Sequence, residues 1–573
     1  MIVCGLKLTH DGAVALIEDG KLISCIEVEK LANSPRHSSI DDASVIPGLI
    51  EAAGIQPEAV DLYAIDGWGG YDQTALALQP RLEIGEANNR LSAKDGPTAL
   101  TLDVAQYEER AAKDDLLRPY RFSGLAMRGK TVDYASYLHV ADHVSSAYCT
   151  SPFSASGDSS YVLVWDGGMY PRLYYFDAER VAVENLGPLF LLVGNVYSIF
   201  SQHFAVFKVA GGFAKDDLSI AGKVMAYIAK GNQQEELLAH FDRVYREHYD
   251  QPMGFANKFA KTIRGLVSQD EFSDDDILAS FHVFLERLLV DKLAKKLARL
   301  RRPSSNLCIA GGCGLNIKWN SAIRASGLFK AVHVPPFPND AGSAIGAACC
   351  AMIRESRRCT LDWSVYGGPK IIANTPAPGW SSRVCPIGEL ARILHESGKP
   401  VVFLQGKAEL GPRALGNRSI LAAATSAAMK DELNRIKQRE DYRPVSPICL
   451  EARAASIFDP GTPDPWMLFD HRVRGDWVGR IPAVRHLDGT ARLQTVNHDE
   501  NPVVASLLDE YEKLSGIPLL CNTSANHRGR GFFPDVRSAT EWAGTSRVWC
   551  EGILYEAAGA RTPSPTDTSA GQS

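Results

Sequence analysis

The sequence predicts an α/β protein with more than one domain, and three observations support this class. The chain has 573 residues, which is more than a single hydrophobic core normally supports. Short apolar stretches with strand character alternate with longer stretches of helical periodicity. A strand–turn–strand arrangement with Asp-Gly turns occurs twice in the first half of the chain. The repetition indicates two related α/β halves, followed by further mixed structure.

The two repeated arrangements are predicted to be β-hairpins. In the first, residues 10–12 and 19–20 form the turns, and in the second, residues 166–168 follow the first strand. Actin-like ATPase folds have this layout, because each of their two α/β halves offers a hairpin to nucleotide phosphates. We therefore predict an internal duplication of this type. The predicted strands are residues 2–8, 13–18, 21–28, 161–165, 172–176 and 181–183.

Helical and irregular stretches define the predicted domain organisation. Residues 274–300 carry an apolar stripe at helical spacing, and Ser273 is predicted to cap that helix. A strand is predicted at residues 306–310, before a glycine-rich turn. A stretch rich in Pro, Gly and Ser with little periodicity is predicted to be a linker. The predicted boundaries are 1–355 for the first domain, 356–383 for the linker, 384–560 for the second domain and 561–573 for a disordered tail.

Composition and charge limit the functions that the chain can have. Apolar residues make up 45% and charged residues 22% of the chain, as in ordinary globular proteins. A net charge of -6 argues against a general surface for nucleic acid, although it allows a local basic pocket. The first ten residues lack the pattern of a signal peptide, and the most apolar stretch, residues 186–200, is too short to span a bilayer. The 12 cysteines are scattered, so we expect a cytoplasmic protein with free thiols and no membrane partner.

Four residues have the chemistry of a metal site. His139 and His143 are four apart in a stretch, residues 134–148, that is predicted to be helical, so both imidazoles would lie on one helix face. The alternative is an ordinary amphipathic helix with two histidines. Asp166, at a predicted strand end, and Asp340, in a loop before a helix, favour the metal interpretation. Two imidazoles and two carboxylates suit iron, manganese or zinc, and the sequence does not choose among them.

Two further groups in the first half have the chemistry of a nucleotide and transfer site. Gly311 and Gly312 follow a predicted strand, with Asn316 shortly after, and glycines there allow the backbone to approach a nucleotide closely. Glycine turns before helices are common, so this signal alone is weak. His10 and Asp11 lie at a hairpin tip, where an imidazole oriented by a carboxylate can act as a general base. The alternative for His10 is a hydrogen bond that stabilises the turn.

Basic and hydroxyl residues accumulate at predicted turns of the second half. Arg413 and Arg418 lie in the turn-rich stretch 409–419, and a guanidinium can bind phosphate through two parallel hydrogen bonds. In an otherwise acidic chain, such a set predicts a pocket for a polyphosphate. Any one of these arginines alone could be an ordinary surface residue, but a pocket explains the set better. The other members of the set are Lys437, Arg439, Arg443, Arg492, Asn522 and Ser524.

Two motifs resemble those of the NodU/CmcH family of O-carbamoyltransferases, which includes nodulation-factor, cephamycin and aminoglycoside-tailoring enzymes. The motifs are Glu409-Leu-Gly-Pro-Arg-Ala-Leu-Gly-Asn-Arg-Ser419 and residues 481–496, and the resemblance covers nearly the whole chain. It implies an actin-like (ASKHA) domain followed by a YrdC-like α+β domain. It also implies a two-step reaction. The YrdC-like domain makes carbamoyl adenylate from carbamoyl phosphate and ATP, releasing pyrophosphate, and the actin-like domain transfers the carbamoyl group to an acceptor hydroxyl, leaving AMP.

The resemblance also implies roles for individual residues. His10, with Asp11 beside it, would deprotonate the acceptor, and Arg413 would act in carbamoyl activation. ATP would enter with Mg²⁺ as a co-substrate, the acceptor would be a secondary metabolite such as a sugar or macrolide, and a homodimer is left open. The implied ligands of Fe(II) or a similar divalent metal are His139, His143, Asp166 and Asp340. The implied contacts to nucleotide and carbamoyl phosphate are Gly311, Gly312, Asn316, Lys437, Arg439, Arg492, Asn522 and Ser524.

Two departures from the family pattern concern the activation pocket and the acceptor. After residues 522–526 the family usually continues towards Gly-Glu-Pro, whereas this chain has Gly529-Arg530-Gly531. Arg530 is therefore a candidate addition to the pocket. Residues 27–37 differ from the family's usual acidic-and-basic run, where acceptor contacts often lie. We therefore expect an acceptor that differs from those of the better-known members.

Two other functions are kept as alternatives. An actin-like kinase for a hydroxylated small molecule would use only the first domain, and it would leave the arginine set of the second half without a role. A nucleotide-sensing or threonylcarbamoyl-type tRNA modification factor would use related domains, but it would not need both in one chain with these motifs. Product analysis separates the kinase from the carbamoyltransferase, and tight tRNA binding at physiological salt would favour the modification factor.

Overall fold

The computed structural model describes residues 1–67, 81–84, 89–109, 111–208, 218–248, 255–267, 271–300 and 302–559. These residues form two compact units. Both units combine helices with sheets, which confirms the predicted α/β class. The predicted disordered tail, residues 561–573, lies outside the described residues. Unit 1 consists of Met1–Glu29, Arg36–Gly368 and Leu410–Pro412, and unit 2 consists of Lys30–Pro35, Pro369–Glu409 and Arg413–Ser573.

The described residues of unit 1 form three sheets and the helices that cover them. Its strands are β1 Ile2–Lys7, β2 Ala13–Glu18, β3 Lys21–Glu27, β4 Leu62–Gly67, β5 Arg81–Ile84, β6 Asn89–Asp95, β7 Thr98–Val104, β8 Tyr120–Met127, β9 Lys130–Leu138, β10 Ser160–Val164, β11 Arg172–Asp177, β12 Ala182–Pro188, β13 Asn306–Ala310 and β14 Ala331–His333. Its α-helices are α1 Ile46–Ala52, α2 His139–Cys149, α3 Pro152–Ala155, α4 Val196–Ser201, α5 Ile220–Tyr227, α6 Glu235–His248, α7 Phe255–Leu266, α8 Asp274–Leu297, α9 Ile317–Ala325 and α10 Ser343–Ser356.

The two larger sheets of unit 1 have corresponding strand orders. The first sheet runs β3-β2-β1-β4-β9-β8 and the second runs β12-β11-β10-β13-β14. In each, an antiparallel three-stranded meander is followed by parallel strands, since β1 pairs in parallel with β4 and β10 pairs in parallel with β13. The smaller sheet, β5-β6-β7, is antiparallel. Parallel strands place their carboxyl ends at one edge of a sheet, which is where ligand sites of open α/β sheets form.

The predicted strands and helices are largely confirmed. The strands of both predicted hairpins correspond to β1–β3 and β10–β12, and the strand predicted at residues 306–310 is β13. The long predicted helix is α8, and the hydroxyl of Ser273 accepts a hydrogen bond from the Asp276 N–H at 3.1 Å, as a cap does. Within the predicted linker, residues 380–383 belong to a strand of unit 2.

The prediction of one helix over residues 134–148 is wrong at its start. Residues 134–138 are the end of β9, and the helix begins at His139. The physical reason is strand pairing: Ala135 lies opposite both Ala64 of β4 and Arg121 of β8. The backbone hydrogen bonds of these residues therefore belong to the sheet, and His139 lies at the first position after a buried strand.

Small residues allow helix α10 to pack closely against its neighbours. A Cβ atom on Gly5 would lie 2.0 Å from the carbonyl oxygen of Ala344, and one on Gly346 would lie 2.1 Å from that of Asp142. Cys349 and Cys350 are fully buried in this helix. Helix α10 thus lies against β1 and α2, and this contact fixes α2, which carries both site histidines.

The described residues of unit 2 form one large and one small sheet. The strands are β15 Trp380–Val384, β16 Val401–Leu404, β17 Arg418–Ala422, β18 Ser446–Leu450, β19 Phe458–Asp459, β20 His471–Val473, β21 Thr490–Ala491, β22 Gln494–Val496, β23 Leu519–Ser524, β24 Arg547–Cys550 and β25 Ile553–Ala557. The large sheet has the order β15-β25-β24-β16-β17-β23-β18-β22, and the small one β19-β20-β21. The helices are α11 Ile387–Ser397, α12 Ala427–Ile436, α13 Glu451–Ile457, α14 Pro502–Ser515 and α15 Val536–Trp542. Among the described helices of both units, none combines the length and apolar character that a membrane crossing requires.

The close approach of α10 to α2 generates a testable prediction. Gly346→Ala should destabilise unit 1 by roughly 1–3 kcal/mol, because its Cβ would overlap the Asp142 carbonyl oxygen. Gly222→Ala is the matched control, since Gly222 is also helical but has open space around it, and alanine there should be neutral or stabilising by up to about 1 kcal/mol. Hydrogen exchange of the α10 backbone measures the effect. Equal protection of α10 in both variants would contradict the packing described.

Candidate active site

The predicted metal ligands of unit 1 lie where strands of its two larger sheets end. Strand β9 runs directly into α2, so His139 is the first helical residue and His143 follows one turn later. Asp166 comes just after β10. Asp340 follows β14 and opens a short 3₁₀ helix before α10. The fold therefore brings together all four residues that the sequence predicts as ligands.

The geometry and burial of these four side chains fit a bound cation. One ligand atom from each lies within 4.8 Å of those of the others, and all four residues are buried. The Nε2 atom of His139 is 3.5 Å from Asp340 Oδ1 and 3.9 Å from Asp166 Oδ2. In the described part of the chain, neither His139 Nε2 nor His143 Nε2 has a hydrogen-bond partner. Ligand atoms on one ion at about 2.1 Å lie roughly 3–3.5 Å from each other, so these unpartnered nitrogens suit a metal.

A buried network behind the ligands orients them. Asp66 accepts a hydrogen bond from Nδ1 of His139 at 2.7 Å, which directs Nε2 of that ring towards the other ligands. The ammonium of Lys7 lies 2.7 Å from the other oxygen of Asp66 and 3.0 Å from Asp340 Oδ2. The Lys7 side chain is fully buried. Lys7 and Asp66 carry no motif signal, and only the pairing of β1 with β4 places them side by side.

The electrostatics of the site favour a cation among the ligands. Burial lowers the pKa of His139, but Asp66 and Asp340 outweigh it and raise that pKa well above its usual value. Burial and the neighbouring His139 lower the pKa of His143. Burial raises the pKa of Asp340, yet Lys7 and His139 hold it well below the usual range. The carboxylates around His139 thus favour positive charge at this place, which a bound metal ion would supply.

Tyr107 is a site residue that sequence reasoning missed. Its hydroxyl donates to Asp166 Oδ2 at 2.5 Å, and its ring stacks on His139 with the centroids 4.7 Å apart. Its carbonyl accepts the N–H of Val140 at 3.0 Å, in the first turn of α2. The other oxygen of Asp166 accepts the N–H of Gly312 at 2.7 Å. Both oxygens of Asp166 are therefore held in place, and no local pattern around residue 107 signals this.

The predicted base lies next to the ligand set. His10 Nδ1 is 2.9 Å from Asp11 Oδ2, and His10 Nε2 is 3.4 Å from Asp340 Oδ2. Asp11 Oδ1 is 2.8 Å from Nδ1 of His37, a residue that the sequence suggested only as part of an acceptor region. Burial raises the pKa of Asp11, but His37 and His10 outweigh burial and lower it. One ionised carboxylate therefore bridges two imidazoles.

The predicted adenylate contacts of unit 1 have well-defined local roles. Gly311 has φ +86°, and a Cβ there would lie 2.4 Å from the Trp165 carbonyl oxygen, so only glycine fits. The Asn316 side chain caps α9 by accepting the N–H groups of Lys318 and Trp319 at 3.2 and 3.3 Å. Gly311 and Gly312 are thus beside Asp166, whereas the Asn316 amide oxygen is used in capping.

In unit 2, the predicted arginines form a cationic cluster. Nε of Arg492 donates to Ser446 Oγ at 3.0 Å, and Nε of Arg439 donates to the Asn434 amide oxygen at 2.6 Å. Burial, followed by Arg443 and Arg492, lowers the pKa of Arg439 to about 9. Burial, followed by Arg443, lowers the pKa of Arg492 to about 10. Buried guanidinium groups near one another favour a bound anion.

The other predicted contacts of unit 2 are tied to the chain itself. The ammonium of Lys437 donates to the carbonyl oxygens of Ser524 and Asn526 at 2.8 and 2.6 Å, and also to the Asn526 side chain. The Ser524 hydroxyl donates to the same Asn526 side-chain oxygen at 2.7 Å. Arg530, the candidate addition to the pocket, donates to the Asn33 carbonyl oxygen at 2.5 Å. Lys437 therefore positions the end of β23 through its three N–H groups.

The stretch 409–419 is shaped by a buried carboxylate. Oε1 of Glu409 accepts the N–H groups of Leu415 and Asn417 at 2.7 Å each and that of Arg418 at 3.1 Å. The Arg418 guanidinium donates to backbone carbonyls, including Asn417 at 2.9 Å and Gly406 at 3.1 Å. Arg418 is thus a structural residue rather than a phosphate contact. Arg413 is the remaining guanidinium of the stretch and is half-buried.

Comparisons with known proteins concern the chain along nearly its whole length. Family models described as Carbamoyltransferase N-terminus and Carbamoyltransferase C-terminus match residues 2–349 and 391–550. The chain is 48% identical over 584 residues to Nodulation protein U of Sinorhizobium fredii (strain NBRC 101917 / NGR234), covering 99% of this chain and 100% of that protein. It is 34% identical over 548 residues to 3'-hydroxymethylcephem-O-carbamoyltransferase of Amycolatopsis lactamdurans, covering 93% and 94%. A crystal structure of a Balamuthia mandrillaris glucokinase with glucose aligns at a TM-score of 0.25 and 11% identity over 61% of this chain and 92% of that one, which is too weak to show a shared fold.

The two sites and the matched models define a group-transfer enzyme. The chain belongs to the carbamoyltransferase family, and the resemblance seen in its motifs is confirmed. Its relatives match it along nearly their full length, so both units are shared with them.

The ligand geometry of unit 1 predicts that the protein binds a divalent metal ion and that mutation of a ligand weakens this binding. The wild-type chain should hold about one divalent ion, and His143→Ala should weaken its binding at least 10-fold, because one of four ligands is lost. His498→Ala is the control, since His498 is an exposed histidine paired with Asp509 in unit 2. Metal analysis after dialysis against a weak chelator measures the effect. Equal metal content in the two variants would contradict the assignment.

Proposed function

We propose that the chain is an ATP-dependent O-carbamoyltransferase that forms carbamoyl adenylate from carbamoyl phosphate and ATP and then carbamoylates a hydroxyl of a small molecule. The observation that carries this proposal is the cluster of Arg439, Arg443 and Arg492 in unit 2, where burial, followed by the neighbouring guanidinium groups, lowers the pKa of Arg439 and of Arg492. An actin-like kinase would bind its polyphosphate in unit 1 alone and would not need an additional anion pocket in unit 2. Family membership supplies the carbamoyl chemistry.

In the first step, the carbamoyl group of carbamoyl phosphate is activated as carbamoyl adenylate. Carbamoyl phosphate, ATP and water give carbamoyl adenylate, pyrophosphate and inorganic phosphate. ATP enters with Mg²⁺. The substrates repel each other, so they can meet only where fixed cations offset their charges. Arg439 and Arg492 are held by neighbouring side chains for this purpose, and Arg413 extends from the loop that Glu409 shapes.

In the second step, the carbamoyl carbon is transferred to the acceptor oxygen and AMP leaves. Asp11 Oδ2 lies 2.9 Å from Nδ1 of His10, so Asp11 would orient this imidazole as the base that takes the acceptor proton. His139, His143, Asp166 and Asp340 would hold Fe(II) or a similar divalent ion, which supplies Lewis acidity to the phosphate and carbonyl oxygens. Gly311 and Gly312 lie beside Asp166 and would contact the adenylate there.

We further propose the finer fold assignment. Unit 1 would be a duplicated actin-like fold, which the corresponding strand orders of its two larger sheets support. Unit 2 would be a YrdC-like domain. The proposed boundaries are 1–355 and 384–560, with residues 356–383 as the linker.

The acceptor is proposed to be a hydroxylated secondary metabolite. One relative is named for a 3'-hydroxymethylcephem acceptor, and the more similar relatives are named nodulation protein U. The greater similarity to the nodulation proteins favours an acceptor of the kind that those proteins use. The residues around His10 and His37 would contact it, because they surround the proposed base.

Two variants test the division of labour. Arg413→Ala should reduce carbamoyl-phosphate-dependent pyrophosphate release by at least about 100-fold, because a fixed cation that stabilises the transition state is lost. His139→Ala should release pyrophosphate at a near wild-type rate but lose carbamoyl transfer to a panel of hydroxylated small molecules that includes a hydroxymethylcephem. Pyrophosphate, AMP and carbamoylated product are quantified together.

Arg453→Ala is the matched control, since Arg453 is a half-exposed arginine of unit 2 paired with Glu512, and it should retain both steps. Loss of pyrophosphate release in His139→Ala would contradict the two-site assignment. ADP together with a phosphorylated acceptor in the wild-type reaction would instead identify a kinase.

A further inference from the structure

The first turn of helix α2, which carries both site histidines, is capped by backbone from another part of unit 1. The carbonyl oxygen of Gln106 accepts the N–H of His139 at 3.1 Å. The carbonyl oxygen of Tyr107 accepts the N–H of Val140 at 3.0 Å. The first N–H groups of a helix have no partner within it, and Leu138, which precedes α2, has an apolar side chain that cannot accept them. Residues 106 and 107 therefore fix the start of α2.

The Tyr107 side chain reaches ligands that come from both larger sheets of unit 1. Its ring stacks on His139, which follows β9 of the first sheet, with the centroids 4.7 Å apart. Its hydroxyl donates at 2.5 Å to Oδ2 of Asp166, which follows β10 of the second sheet. The same oxygen lies 3.9 Å from Nε2 of His139. Tyr107 thus binds the oxygen of Asp166 that lies towards the histidines.

Glu109 anchors the segment that carries Tyr107. Its side chain is 2% exposed. The carboxylate accepts the Tyr174 hydroxyl at 3.0 Å and the Arg172 guanidinium at 3.2 Å, and it also accepts the side-chain amide of Asn185. The first two donors lie on β11 and the third on β12. A buried carboxylate with several donors, one of them charged, is held firmly, so the segment is fixed to the second sheet two residues after Tyr107.

The ligand set needs such a connection before an ion binds. Both histidines belong to α2, whereas Asp166 and Asp340 follow strands of the second sheet. Their ligand atoms lie within 4.8 Å of one another, so the two carboxylates repel each other until a cation is present. The N–H of Gly312 binds Oδ1 of Asp166, and the Tyr107 hydroxyl binds Oδ2. The hydroxyl therefore opposes rotation of Asp166 away from the other ligands.

We propose that Tyr107 is a positioning residue of the metal site, whose hydroxyl holds Oδ2 of Asp166 towards the histidines while its backbone holds the helix that carries them. This inference rests on the proposed function of unit 1 and adds to it a residue outside the ligand set. Loss of a hydrogen-bond partner of a ligating side chain weakens metal binding by about 10- to 100-fold. The Tyr107 hydroxyl thus supports the affinity of the site for a divalent ion without being a ligand.

Titration with Co²⁺ tests the role of the hydroxyl independently of activity. The full chain is depleted of metal with a chelator, and Co²⁺ binding is followed by the visible absorption of the bound ion. His143→Ala should lose most of this absorption, which assigns it to the site. Tyr107→Phe removes the hydroxyl but keeps the ring on His139, so Co²⁺ binding should weaken by about 10- to 100-fold. The spectrum should also change, because Asp166 is no longer held in one orientation.

Tyr134→Phe is the matched control, since Tyr134 is a buried tyrosine of unit 1 whose hydroxyl donates to the Asp103 carbonyl oxygen at 2.8 Å. It also loses one hydrogen bond, but it should bind Co²⁺ with wild-type affinity. Thermal unfolding of the metal-depleted variants shows whether each is folded. If Tyr107→Phe does not fold, Glu109→Gln is titrated in its place. Its NH₂ group would face donors, which loosens the segment, and Co²⁺ binding should weaken by at least about threefold.

The outcomes separate this inference from the proposed function. Equal Co²⁺ affinity in the wild type and Tyr107→Phe, or an equal loss in Tyr107→Phe and Tyr134→Phe, would overturn the role of Tyr107 and leave the proposed function in place. Unchanged Co²⁺ binding in Glu109→Gln, measured as the substitute, would overturn it too. A wild-type chain that binds no Co²⁺ would contradict the metal site of the proposed function, and this inference with it.

Discussion

The arrangement of unit 1 depends on a single buried ammonium group. Lys7 lies at the end of β1, fully buried, between the carboxylates of Asp66 and Asp340. Burial lowers the pKa of Lys7, but Asp340 and Asp66 outweigh it and raise that pKa. Removing one partner of a buried ion pair typically costs about 3–5 kcal/mol, so these three residues constrain one another strongly. Since Asp66 also orients His139, this interaction positions two of the four predicted ligands, His139 and Asp340.

Unit 2 has a corresponding buried charge, but here it is a carboxylate instead of an ammonium group. The carboxylate of Glu409 is fully buried and holds the N–H groups of residues 415, 417 and 418. In unit 1, the buried ammonium of Lys7 lies between Asp66 and Asp340, beside the proposed metal site. In unit 2, a buried anion shapes the loop that carries Arg413, near residues that attract an anion. The two units thus prepare complementary chemistry, as the proposed activation and transfer steps require.

The sequence predicts the parts of this structure that local patterns determine. Strand β13 and the cap at Ser273 are set by apolar runs and turn residues, and both are where the patterns place them. The spacing of His139 and His143 identifies the ligand pair, although the helix begins later than predicted because β9 takes up the preceding residues. Specific motifs also indicate the family, which the full-length relatives confirm.

The residues that sequence reasoning missed owe their roles to tertiary contacts. Lys7 looks like an ordinary polar residue of a strand until β4 brings Asp66 beside it. Tyr107 lies in a stretch without periodicity, yet its hydroxyl reaches Asp166. Arg418 and Arg413 have similar local surroundings in sequence, and only the carbonyls around Arg418 show that it is structural. No local signal distinguishes such cases, because the partners are distant in the chain.

Anomalous diffraction at the absorption edge of the bound metal tests the central claim most directly. Crystals of the wild-type chain should show one anomalous peak within roughly 2.0–2.3 Å of Nε2 of His139, Nε2 of His143 and carboxylate oxygens of Asp166 and Asp340. A peak elsewhere in unit 1 would contradict the account. The account would also be contradicted if no anomalous peak lay at these four residues and the two imidazoles were hydrogen-bonded directly to the two carboxylates.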